Sequence, residues 1–450
     1  MYKSRLRGEI TVFLSLIFVL LFSLILSVIQ SALIQTEKNY RRGEMDRVME
    51  SVFAEYQKEL LQTYDIFALD SSYETEEFSK DKILQRCDFY GQSDIDKEIT
   101  KIQFLTDHGG QAFLEQVTTY MKQKIPLPEI EKIQKKSEKN ESELSIFEKE
   151  GKDVKENMDS LIEQKDQELV EKETPLQFFS EIKNIGIVNM VLEDKEPSNK
   201  SIDILQLPSK RKLNQGEGEF RTKGESVWSK VYLGEYALDK FSSVVDPKEE
   251  GSLSYELEYL ISGTDSDKDN LRKVLNRISA MRFIPNYAYL LQSEEKKAEA
   301  EAAALVVSSI IVSPEITEVI KHGILIAWAY AESILDLKSL VKGKKVPLMK
   351  TDENWTSNLS SLLIPGTQNG AAKETEHTDG LSYTDYIRIL FHLIREQEST
   401  MRMIDLIETG MKDKGYTFFA ADHCVSRMEL KNRCNIKRIT YEFYTDYEYR

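Results

Sequence analysis

From Ile10 to Ile34 the chain reads ITVFLSLIFVLLFSLILSVIQSALI, with no charged residue. As a helix rising about 1.5 Å per residue this run reaches roughly 37 Å, enough to cross a hydrocarbon core of about 30 Å with some tilt. A cleaved signal peptide has a shorter apolar region, of about 7–15 residues, that ends at a small-x-small site. Ile29-Gln30-Ser31-Ala32-Leu33 is a poor site of that kind, so the segment is predicted to stay as a transmembrane signal anchor. Helical rhythm continues from Thr36 to Leu61, where Met45, Val48, Met49, Val52, Phe53, Tyr56 and Leu60 return at steps of three and four. This stalk carries an apolar stripe that needs a surface to dock on.

From Glu129 to Thr174 the pattern gives way to Glu, Lys, Asp, Gln and Ser with few aromatics, and the spacing predicts an exposed linker or a frayed hairpin. Trp228, Val231, Tyr232, Leu233 and Tyr236 suggest a packed element, and Leu253, Tyr255, Leu257, Tyr259 and Ile261 alternate with polar residues as a strand would. A helical core follows: Asp267 through Arg282, Tyr287 to Val312, then Pro314 to Val341 with the proline in its first turn. Two apolar stretches within it, Ala302–Val312 and Ile324–Ala331, are too short to span a bilayer and read as buried helices of a bundle. Leu381 to Met411 gives a last helix, and Tyr416–Leu430 and Ile436–Tyr444 read as strands around Lys431-Asn432-Arg433. The expected class is α+β, with a mostly helical ectodomain and C-terminal strands. Its organisation is a cytoplasmic tail (1–9), the anchor (10–34), a stalk with the first ectodomain part (35–128), a charged linker (129–174) and an α+β ectodomain (175–450). Within that ectodomain the helical core is 267–411 and the strands are 416–444.

The length of 450 residues exceeds what one hydrophobic core usually organises, so more than one folding unit is expected. Sixty Lys and Arg against 76 Asp and Glu leave a net charge of -16 without a long basic block, which argues against a nucleic-acid partner. The cations flanking the anchor, Lys3, Arg5 and Arg7 before it and Lys38, Arg41 and Arg42 after it, nearly tie under the positive-inside rule. The short basic tail breaks the tie: the N-terminus is expected to be cytoplasmic and the bulk of the chain extracytoplasmic, in the cell membrane.

Within the anchor Ser15, Ser23, Ser27 and Ser31 lie four or eight residues apart, with Gln30 flanking them. Such small-residue spacing lets helix backbones approach in lipid, so this stripe is the candidate for self-association; the competing reading is that each hydroxyl bonds its own helix.

Candidate catalytic chemistry is sparse. The chain holds no Gly-x-Ser-x-Gly elbow, His-Glu-x-x-His pair or phosphate-binding loop. Asp265-Ser-Asp267-Lys-Asp269-Asn270 begins like a calcium loop, but Asn270 and Asn276 occupy the positions that need Gly and Glu, which leaves a capped helix N-terminus as the plain reading. His423, Cys424 and Cys434 lack a fourth ligand for zinc. A Cys424–Cys434 disulfide would suit export, yet a turn centred on Asn432 sets Cys424 opposite Thr440 and Cys434 opposite Leu430, too far apart to bridge. His108, His322, His377 and His392 are dispersed. No catalytic, cofactor or metal residue is assigned.

Arg7-Gly8-Glu9-Ile10-Thr11-Val12-Phe13-Leu14-Ser15-Leu16, Met49-Glu50-Ser51-Val52-Phe53-Ala54-Glu55-Tyr56 and Tyr64-Asp65-Ile66-Phe67 resemble an uncharacterised family of bacterial single-pass proteins. That family is encoded with the tight-adherence (Flp-type) pilus machinery and is akin to its TadE and TadG components. The likeness continues through Glu258-Tyr259-Leu260-Ile261, Ala327-Trp328-Ala329-Tyr330-Ala331-Glu332-Ser333 and Leu381-Ser382-Tyr383-Thr384-Asp385-Tyr386. It implies a structural or assembly component of a pilus or secretion apparatus, with assembly proteins as partners and no enzymatic activity. Prepilins are cleaved after a Gly that follows basic residues and carry a Glu five positions later. Gly8 fits the first feature, but Phe13 stands at the fifth position and the acid is Glu9, so an unprocessed N-terminus is expected. The rival readings are a membrane-tethered binding or sensor ectodomain and an extracellular hydrolase of unfamiliar type.

Overall fold

The computed structural model describes residues 3–73, 75, 77–91, 94–142, 186–193, 195–220, 228–248, 251–311, 317–359 and 380–449. The chain is α+β and mostly helical, with one small antiparallel sheet. Its contacts divide it into two units: one of Met1–Ala112, Leu213–Lys223 and Phe418–Arg450, the other of Phe113–Lys212 and Gly224–Thr417.

The first unit contains α1 (Lys3–Phe53), α2 (Lys58–Tyr64), β1 (Leu69–Asp70), α3 (Lys80–Tyr90), β2 (Asp96–Phe104), β3 (Cys424–Ile436) and β4 (Ile439–Glu448). β3 is the strand on which the sheet is built. β1, β2 and β4 all pair with it antiparallel, Phe104 opposite Val425 and Arg427 opposite Glu448. Its inward residues Met428, Leu430, Cys434 and Ile436 form one core with Tyr441 and Phe443 of β4 and with Met45, Val48, Met49, Val52 and Phe53 of α1. Those α1 residues belong to the stripe read in the sequence, so the stalk docks on a sheet made largely from the C-terminal end of the chain. The Phe53 ring lies 4.5 Å from that of Tyr447 and 5.1 Å from that of Tyr449. Tyr449 donates its hydroxyl to the Phe53 carbonyl, one of the acceptors a helix end leaves unpaired. Gly216 is required where it stands, because a Cβ there would collide with the Ile102 carbonyl oxygen.

The second unit takes most of α4 (Asp107–Lys124), a helix over 127–142 (α5), α6 (Ile187–Leu192), α7 (Ser229–Lys240), α8 (Glu256–Ser262), α9 (Asp267–Gln292), α10 (Glu294–Ile311), α11 (Thr317–Val341), α12 (Tyr383–Leu393) and α13 (Glu396–Asp413). α9, α10 and α11 pack around Leu290, Ala300, Ala304, Ile324, Leu325 and Trp328. Ser266 caps α9 by accepting from the Asp269 amide, and Ser382 with Asp385 forms a reciprocal capping box on α12.

Several expected elements come out differently. The alternating 253–261 run is the helix α8, because Leu257, Glu258, Tyr259, Leu260 and Ile261 are all buried and no face is left for water. α9 runs unbroken through Pro285, and the 381–411 helix is two helices separated at Ile394–Arg395. The C-terminal strands turn at Lys437–Arg438, later than Lys431-Asn432-Arg433, so Cys434 faces Tyr441 instead of Leu430. The charged stretch begins as α5, whose Lys136 ammonium lies 3.0 Å from the buried Asp385 carboxylate; its remainder, 143–174, and Pro314 lie outside the described residues.

Candidate functional site

The two halves of α1 have opposite surroundings. Every residue from 10 to 33 is exposed; the most apolar window there has a mean hydropathy of 3.0 and is 0% buried. Met45, Val48, Met49, Val52 and Phe53 are at most 2% exposed. Among the described residues, α1 is the only helix long and apolar enough to cross a membrane, and the stretches at 302–311 and 324–331 do not qualify. A collar of cations marks the change between the halves. Arg41 bridges Glu37 at 3.1 Å, Glu44 at 3.5 Å and Asp94 at 2.8 Å, while Lys38 and Arg42 lie 4.9 and 5.5 Å from the Tyr441 ring centre. The collar thus fastens the exposed half of the helix to β4 through Tyr441.

All four serines of the proposed stripe are exposed. Ser15 donates to the Val12 carbonyl and Ser23 to that of Leu20, both at 2.8 Å, so these two hydroxyls are satisfied within their own helix. At about 100° per residue Ser23, Ser27 and Ser31 fall within about 80° of one another, with Ser15 roughly 80° further round. Gly8 and Glu9 lie in the first turns of α1.

The second unit holds buried charge that sequence reasoning missed. Arg282 meets Asp336 at 2.8 Å, and Lys350 meets Glu332 at 2.6 Å and Asp336 at 2.8 Å, all with side chains at most 4% exposed. Asn286 donates to Asp336, and Glu332 also accepts from the Thr356 and Ser357 amides. Two cations balance two carboxylates, and burial, which would raise the Asp336 carboxyl, is outweighed by Arg282 and Lys350, which hold it below its ordinary range. The network ties α9 and α11 to the 350–357 segment and presents no free group for chemistry. The one available signal in the sequence was a charge at Glu332 and Asp336 inside an apolar helix.

Glu258 is the opposite case. It accepts from the Tyr383 hydroxyl at 2.7 Å and the Val244 amide at 3.2 Å, but its Oε2 has no partner among the described residues. Burial, with a smaller contribution from the Asp267 charge, pushes its carboxyl up to about 7.

The 265–270 acidic run is spent on structure: Asp267 accepts from the Ser254 and Tyr255 amides and from the Ser198 hydroxyl, and Asn270 ties down Thr264. Among the described residues no cluster of His, Cys, Asp and Glu has metal-binding geometry. Cys87, Cys424 and Cys434 are buried and form no disulfide among the described residues. Cys424 and Cys434 sit at opposite ends of β3, about 33 Å apart at strand rise, which excludes a bridge between them. Burial pushes the Cys87 thiol up to about 12, far from a thiolate nucleophile. The second unit carries an open groove of about 520 Å3, lined by apolar Met281, Leu390 and Leu393 and by the cations Arg277 and Arg395.

Comparison with curated proteins and with solved structures gives no match. Residues 165–436 match the model of a family described as a family of unknown function (DUF5702), a span that begins after α1 and closes with the last residue of β3. That span is more than half of the chain, and the protein belongs to the DUF5702 family.

Proposed function

We propose that this protein is a single-pass membrane protein, anchored by residues 10–34 with its N-terminus cytoplasmic, whose extracytoplasmic mass is a structural or assembly component of a pilus or secretion apparatus. The observation that carries the anchor is the contrast along α1: an uncharged apolar half that no described residue covers, continuous with a half seated in the sheet. The rigid seat supports a scaffolding role, since a helix fixed to a folded unit holds that unit at a set height above the bilayer. The pilus assignment rests on the resemblance of the 7–16, 49–56 and 64–67 segments to the tight-adherence family. The groove lined by Arg277 and Arg395 favours a second reading, a membrane-tethered binding ectodomain.

The test joins topology to processing. A reporter active only outside the cytoplasm, fused after Arg450, should give signal, and protein recovered from membranes should retain Met1. A silent reporter with stable expression overturns the orientation. A terminus at Glu9 restores prepilin processing, and one near Leu33 makes the segment a cleaved signal. Purification of the native complex from membranes separates the two functional readings by whether pilus-assembly proteins accompany the chain.

A further inference from the structure

The β3–β4 turn extends toward the membrane end of α1. β4 runs alongside α1, with Tyr441 at Lys38 and Arg42 and Tyr447 at Phe53. The six residues from Tyr441 to Tyr447 advance about 20 Å at strand rise, and the thirteen from residue 40 to Phe53 advance about 20 Å at helix rise, so strand and helix are nearly aligned. Continuing the same way, the turn lies about 10 Å beyond Tyr441, which brings Lys437 and Arg438 level with residues 33–34 of α1. Ile34 is itself packed against the sheet's core. The turn therefore stands where the uncharged run ends.

Its composition suits that level. Ile439 follows the same face of β4 as Tyr441, yet it is 45% exposed where Tyr441 is 8% exposed. Lys437 and Arg438 form the two-residue turn itself, both exposed, and Lys437 takes a left-handed φ of 56°, a position where glycine is the usual residue. Neither has an acidic partner within ion-pairing distance among the described residues, and neither do Lys38 and Arg42. Among the acids at this end, Glu37, Glu44 and Asp94 engage Arg41, and Glu442 engages Lys431 and Arg433. Lys38, Arg42, Lys437 and Arg438, without acidic partners among the described residues, leave the collar and turn positive where headgroups would lie, and cations near a bilayer surface favour anionic lipid.

We infer that the β3–β4 turn is a second membrane contact: Ile439 enters the interface beside α1, while Lys437, Arg438, Lys38 and Arg42 meet anionic phospholipid headgroups. The inference rests on the reading of 10–34 as a membrane span. Two contacts on one rigid unit would fix its tilt as well as its height.

The full chain is reconstituted in vesicles of phosphatidylcholine alone or of an equal mixture with phosphatidylglycerol. A thiol-reactive environment-sensitive fluorophore is placed by Ile439→Cys, by Leu24→Cys in the anchor or by Asp446→Cys further along β4, each variant first checked for cooperative unfolding like the parent. Nitroxide-bearing lipids should quench the label at 24 and at 439 but not at 446. Lys437→Glu with Arg438→Glu should lower quenching at 439 several-fold in the anionic vesicles and change it little in phosphatidylcholine. Quenching at 24 with position 439 as open to aqueous iodide as 446 overturns the second contact and leaves the anchor standing. No quenching at 24 overturns the anchor. A label at 439 shielded from iodide yet unquenched by lipid nitroxide means that protein, such as a second copy, covers the turn, and this too overturns the proposal.

Discussion

The most apolar stretch of α1, 10–34, and that of α11, 324–337, are both dominated by Ile, Leu, Ala and aromatic side chains, but among the described residues only the second is covered by the rest of the chain. In α11, Ile324, Leu325, Ala327, Trp328, Ala329 and Leu337 are buried, and Glu332 and Asp336 on the same helix find Lys350 and Arg282. α1 has no ionisable residue over its apolar run, and its serines turn back to their own carbonyls where a bond is seen. Charge with a built-in partner marks a helix destined for a protein interior, where the partner compensates the lost hydration; an unbroken apolar run long enough for lipid marks the other fate.

Breaking the partnership in α11 should give the largest effect. Asp336→Ala leaves Arg282 and Lys350 buried against Glu332 alone, an excess buried charge for which losses of about 3–5 kcal/mol are usual. Chemical denaturation should show a clear drop in midpoint; an unchanged midpoint would mean that water reaches the network. Trp328→Ala tests the apolar side of the same helix. The ring is fully buried, edge-on to Trp355 at 5.8 Å and with the Lys296 ammonium 5.0 Å from its centre, so roughly 3–5 kcal/mol should be lost out of a typical 5–15 kcal/mol. Leu24→Ala, on the exposed half of α1, should leave the unfolding midpoint of the aqueous part where it was.

Glu258 sharpens the comparison further, as a buried acid without a cation. Its folded-state carboxyl lies above the ordinary value, so it favours the fold when protonated. That stability is fully present below the unfolded value near 4.5 and is lost as pH rises toward about 7, at about 1.4 kcal/mol per pH unit within that window. Glu258→Gln should flatten the decline in midpoint between pH 5 and 7, and an equal slope in both proteins would contradict the assignment. The smallest effect belongs to the serines. Ser23→Ile with Ser27→Ile should reduce anchor association in a membrane two-hybrid assay more than Leu24→Ile with Leu26→Ile, and equal effects would favour hydroxyls that serve only their own helix.

Both faces of α1 were legible because periodicity is local: the apolar run reports its length, and Met45, Val48, Met49, Val52 and Phe53 report the docked face at steps of three and four, although the helix read on to Leu61 stops at Phe53 and Leu60 falls in α2. The surface that receives them was not legible. It is built by β3 and β4, about 380 residues later, and by β2, whose pairing of Phe104 with Val425 no local window contains. α8 was misread because Leu253, Tyr255, Leu257, Tyr259 and Ile261 satisfy a two-residue period, while the burial of Glu258 between them depends on Tyr383 and Val244 elsewhere in the chain. The hairpin was found but its turn was set five to six residues early, because Lys437 adopts a left-handed conformation without the glycine or asparagine that normally announces it. The ion network escaped for the same reason as the sheet: Arg282, Asp336 and Lys350 lie on separate elements.

The central claim, that one helix serves two solvents, is tested most directly by alkaline extraction of cell membranes containing either the full chain or a chain beginning at Arg41, which keeps the docked stripe. The full chain should stay in the membrane pellet, and the shortened one should be released, remain soluble without detergent and unfold cooperatively. Release of the full chain, or pelleting of a folded shortened chain, would contradict the account.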